Sequence, residues 1–260
     1  MQGPLASFRV SSDGGRSWSE PIKNSTSPSD NLFQESSYHN GKIKFGAPHF
    51  VDFGKNGEHS PDGKAYLVGH GASRPDSIQA WILGDAIYIA RIAYHRLDDI
   101  NSIESWEFFT GSEWEIGDIQ NAAPIAEWPH HMGVVTMTYI ALLRKFVLSV
   151  STPATYPLTM QPFDTYFLES NVITGPFEYI THMNMFGPQA YFVNIPTKFL
   201  ATNVTQTVNT SSFEFYLSYS ANFANPSDPG NPPGSGYHWI LQHARFSLSQ
   251  SFLDELAIFS

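Results

Sequence analysis

The feature that most constrains this chain is a recurrence of short apolar runs broken by turn signals, with no amphipathic helical stretch between them. Runs at 44–53, 65–69, 86–92 and 106–110 form one group, divided by Asn56-Gly57, Pro61-Asp62-Gly63 and Gly84-Asp85. A second group covers 133–140, 145–150, 165–169 and 177–181, with a turn across 171–176. A third covers 190–195, 213–219, 239–246 and 256–259. Each run reads as a strand. Composition agrees: 20 Phe, 12 Tyr and 6 Trp stand beside 19 Gly and 18 Pro, and charged residues are only 15% of the chain, against the roughly 25% usual for soluble domains. Many rings and turn formers with few charges exclude a coiled coil, a helical bundle and a disordered chain. The expected class is all-β.

The charge balance narrows the partners. Fourteen basic and 24 acidic residues give a formal charge of −10, and no Lys/Arg cluster reverses it locally, so a phosphate backbone is repelled and no nucleic-acid partner is expected. No apolar run approaches the roughly 18 residues of a membrane span, and no membrane partner is expected. The chain has no Cys, which removes disulfides, thiolate metal sites and cysteine nucleophiles together. Three sequons, Asn24-Ser25-Thr26, Asn203-Val204-Thr205 and Asn209-Thr210-Ser211, permit glycosylation and therefore a secretory route. Met1-Gln2-Gly3-Pro4 carries neither a basic nor an apolar leader region, so the expected extracellular protein would need a leader not present here. It is expected to be a monomer.

One local motif is sharper than the rest. Ser11-Ser12-Asp13-Gly14-Gly15-Arg16-Ser17-Trp18 follows an alternating stretch at 8–10. Asp13 can fold its carboxylate onto nearby N–H groups, the glycines permit positive φ, and Trp18 is expected to re-enter a sheet and cover the turn. The stretch, with Ser11, Asp13, Gly15 and Trp18, resembles the Asp-box of sialidases and other β-propellers, where its role is structural. Four meandering strands per group are likewise the blade unit of a propeller. The reading is one β-propeller domain over 1–260, with a half blade at 5–23 and four-stranded antiparallel blades at 33–118, 119–182 and 183–260. Fourteen strands fall short of the about sixteen of the smallest closed propeller, and a half blade leaves a raw sheet edge. The expectation is therefore an incomplete propeller of the five-bladed type, the C-terminal part of a longer protein.

Longer stretches extend the likeness. Lys44-Phe45-Gly46-Ala47-Pro48-His49-Phe50-Val51-Asp52-Phe53-Gly54-Lys55 resembles the innermost strand of a poorly characterised propeller family. Gly84-Asp85-Ala86-Ile87-Tyr88-Ile89-Ala90-Arg91-Ile92, Trp106-Glu107-Phe108-Phe109-Thr110-Gly111 and Thr174-Gly175-Pro176-Phe177 are similar to its later strands. That family is of unknown function or glycosidase-like, and is related in fold to five-bladed glycoside hydrolases, some acting on arabinan-type polysaccharides. The resemblance spans about 8–246, lacks the family's first blade and a half, and implies fold more sharply than substrate.

Propeller geometry would gather the starts of the first strands and the loops 69–84, 151–164 and 222–237 at one mouth. The residues expected there to bind a sugar are His49, His70, Arg74, Trp81, His130, His131, Gln189 and Tyr191, with rings stacking on the sugar and polar groups bonding hydroxyls. Asp52 and Asp76 are the expected catalytic pair. Asp164 is a further carboxylate on that face, with Glu35 and Glu169 outside it, because glycoside hydrolysis needs two carboxyl groups flanking the bond. Each also has a plain structural reading: His130-His131 as a turn, Asp52 as a strand brace, Asp76 as a turn former, Trp81 as packing. Asp62 and Asp85 read as hairpin residues, and Glu58 and His59 as solvated residues of the far face. The expected function is a secreted carbohydrate-active protein of glycoside-hydrolase type. The alternatives are a non-catalytic sugar-binding propeller, a fragment without independent activity, and a polysaccharide lyase in which His or Tyr abstracts a proton and Arg74 neutralises a uronate. No cofactor and no metal are expected; a structural Ca²⁺ would suit the architecture, but no D-x-[DN]-x-[DN]-G loop supports it.

Overall fold

The computed structural model describes residues 5–20, 31–35, 43–74, 77, 82–154, 162–188, 190–206, 211–222, 237–249 and 253. Among them the chain is all-β: its sheets are antiparallel and its helices are short 3-10 turns, of which Tyr94–Asp99 is the longest. No helix among the described residues is long and apolar enough to cross a membrane. The chain divides into two compact units, one of Met1–Val51, Ser60–Val135 and Thr174–Phe177, the other of Asp52–His59, Thr136–Ile173 and Glu178–Ser260.

The first unit is built on strands β1 (Gly46–Phe50), β2 (Lys64–Gly71), β3 (Ala86–Ala93), β4 (Trp106–Phe109) and β5 (Trp114–Ile116), paired in that order. A two-residue strand, β6 (Ala126–Glu127), pairs with the start of β3. β3 is Ala-Ile-Tyr-Ile-Ala-Arg-Ile-Ala, buried on both faces over its first five residues, as expected where a strand is covered on both sides. The core beside it is aromatic. Phe33 meets Phe45, Trp106 and Phe108 edge-on at centroid distances of 5.0 to 5.4 Å, and Trp106 Nε1 donates to Ile100 O, which satisfies its buried N–H. Phe8 lies 5.8 Å from Trp106 and nearly parallel to it. Its backbone is held by Asn101, which accepts from Phe8 N and donates to Phe8 O.

The second unit carries β7 (Val134–Ile140) from Thr136 onward, with β8 (Lys145–Pro153), β9 (Pro162–Ser170) and β10 (Glu178–Pro188), as a four-stranded meander. A further sheet is made from β11 (Tyr191–Asn194), β12 (Thr205–Gln206), β13 (Ser211–Asn222) and β14 (Tyr237–Leu248). β9 alternates buried and half-buried positions along most of its length, the mark of a strand with one wet face. β13 and β14 run together in unbroken register from Ser211↔Leu248 to Asn222↔Tyr237. The two sheets meet through hydroxyls: Thr136 Oγ1 donates to Val193 O, and Thr138 Oγ1 to Ile195 O.

Several strand expectations change. The half blade at 5–23 implies a strand on each side of the Asp13 turn, at 8–10 and 18–22. Residues 8–10 and 18–20 are not in strands, and 21–22 lie outside the described residues. Ser19 clasps Val10 instead, its N–H donating to Val10 O and its hydroxyl accepting from Val10 N–H. The Asp13 turn itself is tightly bonded. One carboxylate oxygen accepts from Ser11 Oγ, Arg16 N and Ser17 N, and the other from Ser17 Oγ, while Gly14 and Gly15 take φ of 72° and 85°. Trp18 remains 55% exposed and enters no sheet. β1 stops at Phe50, so Asp52 is not on the inner strand assigned to it. β5, β6 and β12 were not anticipated, and 256–259 lies outside the described residues.

Candidate functional site

Within the first unit, three pieces of backbone converge at Gly84-Asp85. β2 ends there, with His70 opposite Ile87 and Gly71 opposite Ala86, and β6 pairs with the same two β3 residues from the other side. Asp85 N donates to Gly71 O, Trp128 N to Asp85 O, and Met132 N to Gly84 O, each at 2.9 to 3.1 Å. The approach is close enough to require glycine: a Cβ on Gly84 would stand 2.8 Å from Gly71 O, 2.9 Å from Met132 O and 3.1 Å from the His70 ring.

This packing fixes an acidic side chain in the interior. Asp85 is fully buried. Its Oδ1 accepts the His130 backbone N–H at 2.8 Å and lies 3.5 Å from His130 Nδ1, and its Oδ2 has no hydrogen-bond partner among the described residues. His130 reaches this position with a left-handed backbone, φ 61°, while its side chain stays 43% exposed. An exposed imidazole is thereby held against a buried carboxylate.

The same turn presents a flat surface. Trp128 and His131 stack at 4.1 Å with 10° between their planes, and Trp128 is 40% exposed. His131 Nδ1 lies 2.7 Å from Pro129 O. A carbonyl can only accept, so Nδ1 carries the proton, and Nε2 is the acceptor of a neutral ring. A ring face of this kind suits the C–H face of a pyranose, with a nearby imidazole to bond its hydroxyls.

A second buried carboxyl lies in this unit. Glu35 is 2% exposed; Oε1 accepts from the N–H groups of Lys44 and Phe45, and Oε2 has no partner among the described residues. Burial pushes its carboxyl up to about 7, against the opposing pull of those N–H groups and the Lys44 charge. The Lys44 ammonium caps the carbonyls of Ile119, Gln120 and Ala122. Tyr88, whose hydroxyl donates to Ala72 O at 2.6 Å, is held above the ordinary phenol range by burial first, then by Glu127, Glu35 and Asp85. Both carboxyls thus lie within electrostatic reach of one phenol.

The expected site residues are distributed as follows. His70, which is fully buried, and His130 and His131 all collect around Gly84-Asp85. Arg74 is exposed on the loop leaving β2, its N–H donating to Ser77 Oγ. His49 lies in β1 opposite Val68; its Nδ1–H donates to Ala47 O at 3.3 Å, and burial lowers its pKa. Tyr191 opens β11, opposite Ser220. Asp76, Trp81 and Gln189 lie outside the described residues. Asp52 belongs to the second unit, where it forms an isolated parallel bridge with Thr138. Its Oδ1 accepts from Gly54 N and Thr197 Oγ1 and its Oδ2 from Thr197 N, so both oxygens are occupied by framework donors. Sequence reasoning missed two members of the cluster. Asp85 reads as a turn residue because Gly-Asp before an apolar strand has turn chemistry, and Trp128 carries no signal beyond its place two residues before His130.

No protein-family model matches the chain, and no curated protein matches it. Among solved structures, the crystal structure of an N-acetylgalactosamine deacetylase from F. plautii in complex with blood group B trisaccharide is similar with a TM-score of 0.42 and 11% identity. The match covers 96% of this chain and 62% of that one. A likeness this distant carries no inference about activity.

Proposed function

We propose that this chain is a carbohydrate-active protein of glycoside-hydrolase type, acting on an oligosaccharide or polysaccharide at the Trp128–His131 turn. The observation that carries the reading is the exposed, parallel Trp128–His131 stack beside His130, which is itself held on the buried Asp85 carboxylate. In this reading the stacked rings bind a sugar face and His130 exchanges a proton with the substrate. Asp85 positions His130, and the carboxyl that glycoside cleavage requires is proposed to be Asp76, on its place in the sequence alone. Asp52 is reassigned from catalysis to bracing, because its oxygens are already engaged.

The proposed scaffold is a propeller in which the two four-stranded sheets of the second unit are blades. Its support lies in the second unit, where Asp52 pairs in parallel with Thr138, and Thr136 and Thr138 bond the carbonyls of Val193 and Ile195. First strands of adjoining blades run side by side in this way around an axis. Secretion and glycosylation belong to the same proposal, and Asn203, in a sequon, is exposed. A second reading, sugar binding without cleavage, is favoured by the complete burial of Asp85, which reaches a ligand only through His130.

Sugar release from a panel of plant, fungal and bacterial polysaccharides tests the proposal, with Trp128→Ala, His130→Asn and Asp76→Asn as variants. Release by the wild type that falls at least tenfold in all three supports hydrolysis. Binding lost in Trp128→Ala without any release supports the second reading. Neither release nor binding by the folded wild type would overturn both.

A further inference from the structure

The second unit contains a separate cavity of about 560 Å³, within the usual range for small-molecule sites. Apolar side chains including Ile140, Leu200 and Phe213 line part of it, and the rings of Tyr139 and His59, 6.2 Å apart, line another part. Lys55 and Lys198 also line it.

These two lysines differ from the other described ones. Lys44 caps three carbonyls, Lys64 donates to Glu107, and Lys145 stands 3.5 Å from Glu169. Lys55 and Lys198 have no carboxylate within ion-pair distance among the described residues; the Lys198 ammonium lies only near the Phe199 ring, at 5.8 Å. The acid lining the cavity, Glu58, accepts from the Lys55 backbone N–H and lies 3.9 Å from His59 Nε2. The lining is therefore net positive in a chain of formal charge −10, a local reversal that attracts an anion.

The lysines are also placed by a common anchor. Lys55 begins the 3-10 turn Lys55–Gly57, and Lys198 lies within the turn Thr197–Phe199. Asp52 accepts from Gly54 N at the mouth of one turn and from Thr197 N and Oγ1 at the start of the other. One carboxylate thus fixes both turns, so less order has to be imposed when a ligand arrives.

We propose that this cavity binds an acidic sugar, a uronate unit of one or two rings, with Lys55 and Lys198 holding its carboxylate. Tyr139 and the apolar lining face the sugar's C–H surface, Thr202 and the Thr197 hydroxyl, both in the lining, meet its hydroxyls, and Asp52 is a positioning residue. The site is distinct from the Trp128–His131 turn and does not depend on that turn's function.

Isothermal titration of the full chain with digalacturonate, with the neutral digalactose and with benzoate tests this, at about 50 and about 300 mM NaCl. The expected result is digalacturonate binding that weakens roughly tenfold in Lys55→Gln/Lys198→Gln and weakens again at the higher salt, with digalactose at least tenfold weaker throughout. Asp52→Asn should lower digalacturonate affinity with both lysines intact, and Trp128→Ala should leave it unchanged, which separates this site from the other. No digalacturonate binding at millimolar concentration, equal affinity for the neutral sugar, or indifference to loss of both lysines would overturn the proposal. Lysine-dependent binding of benzoate alone would overturn its sugar part.

Discussion

Glu35 holds a carboxyl in a place with too few donors for its charge. Two N–H groups serve one oxygen while the other is sealed off, so the neutral form is favoured in the folded chain. The sign follows directly. A carboxyl raised from its ordinary value of 4.5 to about 7 contributes stability that is fully present below about 4.5 and is lost as pH rises through about 7. Thermal unfolding should therefore show wild type losing up to about 3 kcal/mol relative to Glu35→Gln between pH 5 and 8, because the amide keeps an acceptor for Lys44 and Phe45 and has no charge to bury. Parallel pH profiles for the two proteins would contradict this. At Asp85, replacement by Asn keeps the acceptor for His130 N–H. Asp85→Asn should keep its melting temperature within a few degrees while sugar release falls tenfold or more; unchanged release would remove Asp85 from the site.

At the scale of elements, much of the holding is done by side chains bonding backbone at places where no ladder runs. Asp52 takes three donors across two turns, and removing it leaves half-buried N–H groups without partners. Asp52→Ala should cost about 2 to 3 kcal/mol in denaturant unfolding and speed amide exchange at Gly54 and Thr197; a loss under about 0.5 kcal/mol would show that the latch holds nothing. Asp13 does similar work in an exposed turn, where the backbone N–H of Ser17 first, then the Ser17 and Ser11 hydroxyls, lower its carboxyl to about 2. Asp13→Ala should speed exchange at Arg16 and Ser17 and leave the global melting temperature unmoved. The sequence showed the long strands well, because β3, β7 and β8 each carry a dense apolar stretch and are bounded by turn residues. β6 and β12 have two residues each, too few to express any period, and are strands only because a neighbour pairs with them. The stretch at 8–10 alternates as a strand would, but Asn101 and Ser19 bond the backbone of Phe8 and Val10 there.

Over the whole molecule, the all-β class was legible because scarce charge, abundant rings and frequent turn formers leave few other ways to bury the chain. The candidate site was only half legible. Its histidines were conspicuous, but the carboxylate that holds His130 becomes visible only when Trp128–Met132, more than forty residues downstream, closes over Gly84-Asp85. Among the described residues, the ring stack of the first unit and the cationic cavity of the second are the two places proposed here for a sugar. The central claim concerns the first. Its most direct test is isothermal titration of wild type and Trp128→Ala with the oligosaccharide released or bound best in the polysaccharide panel. The account predicts saturable binding by the wild type and at least a tenfold loss in the variant, with both proteins equally folded by circular dichroism. Equal affinities for the two proteins would contradict it.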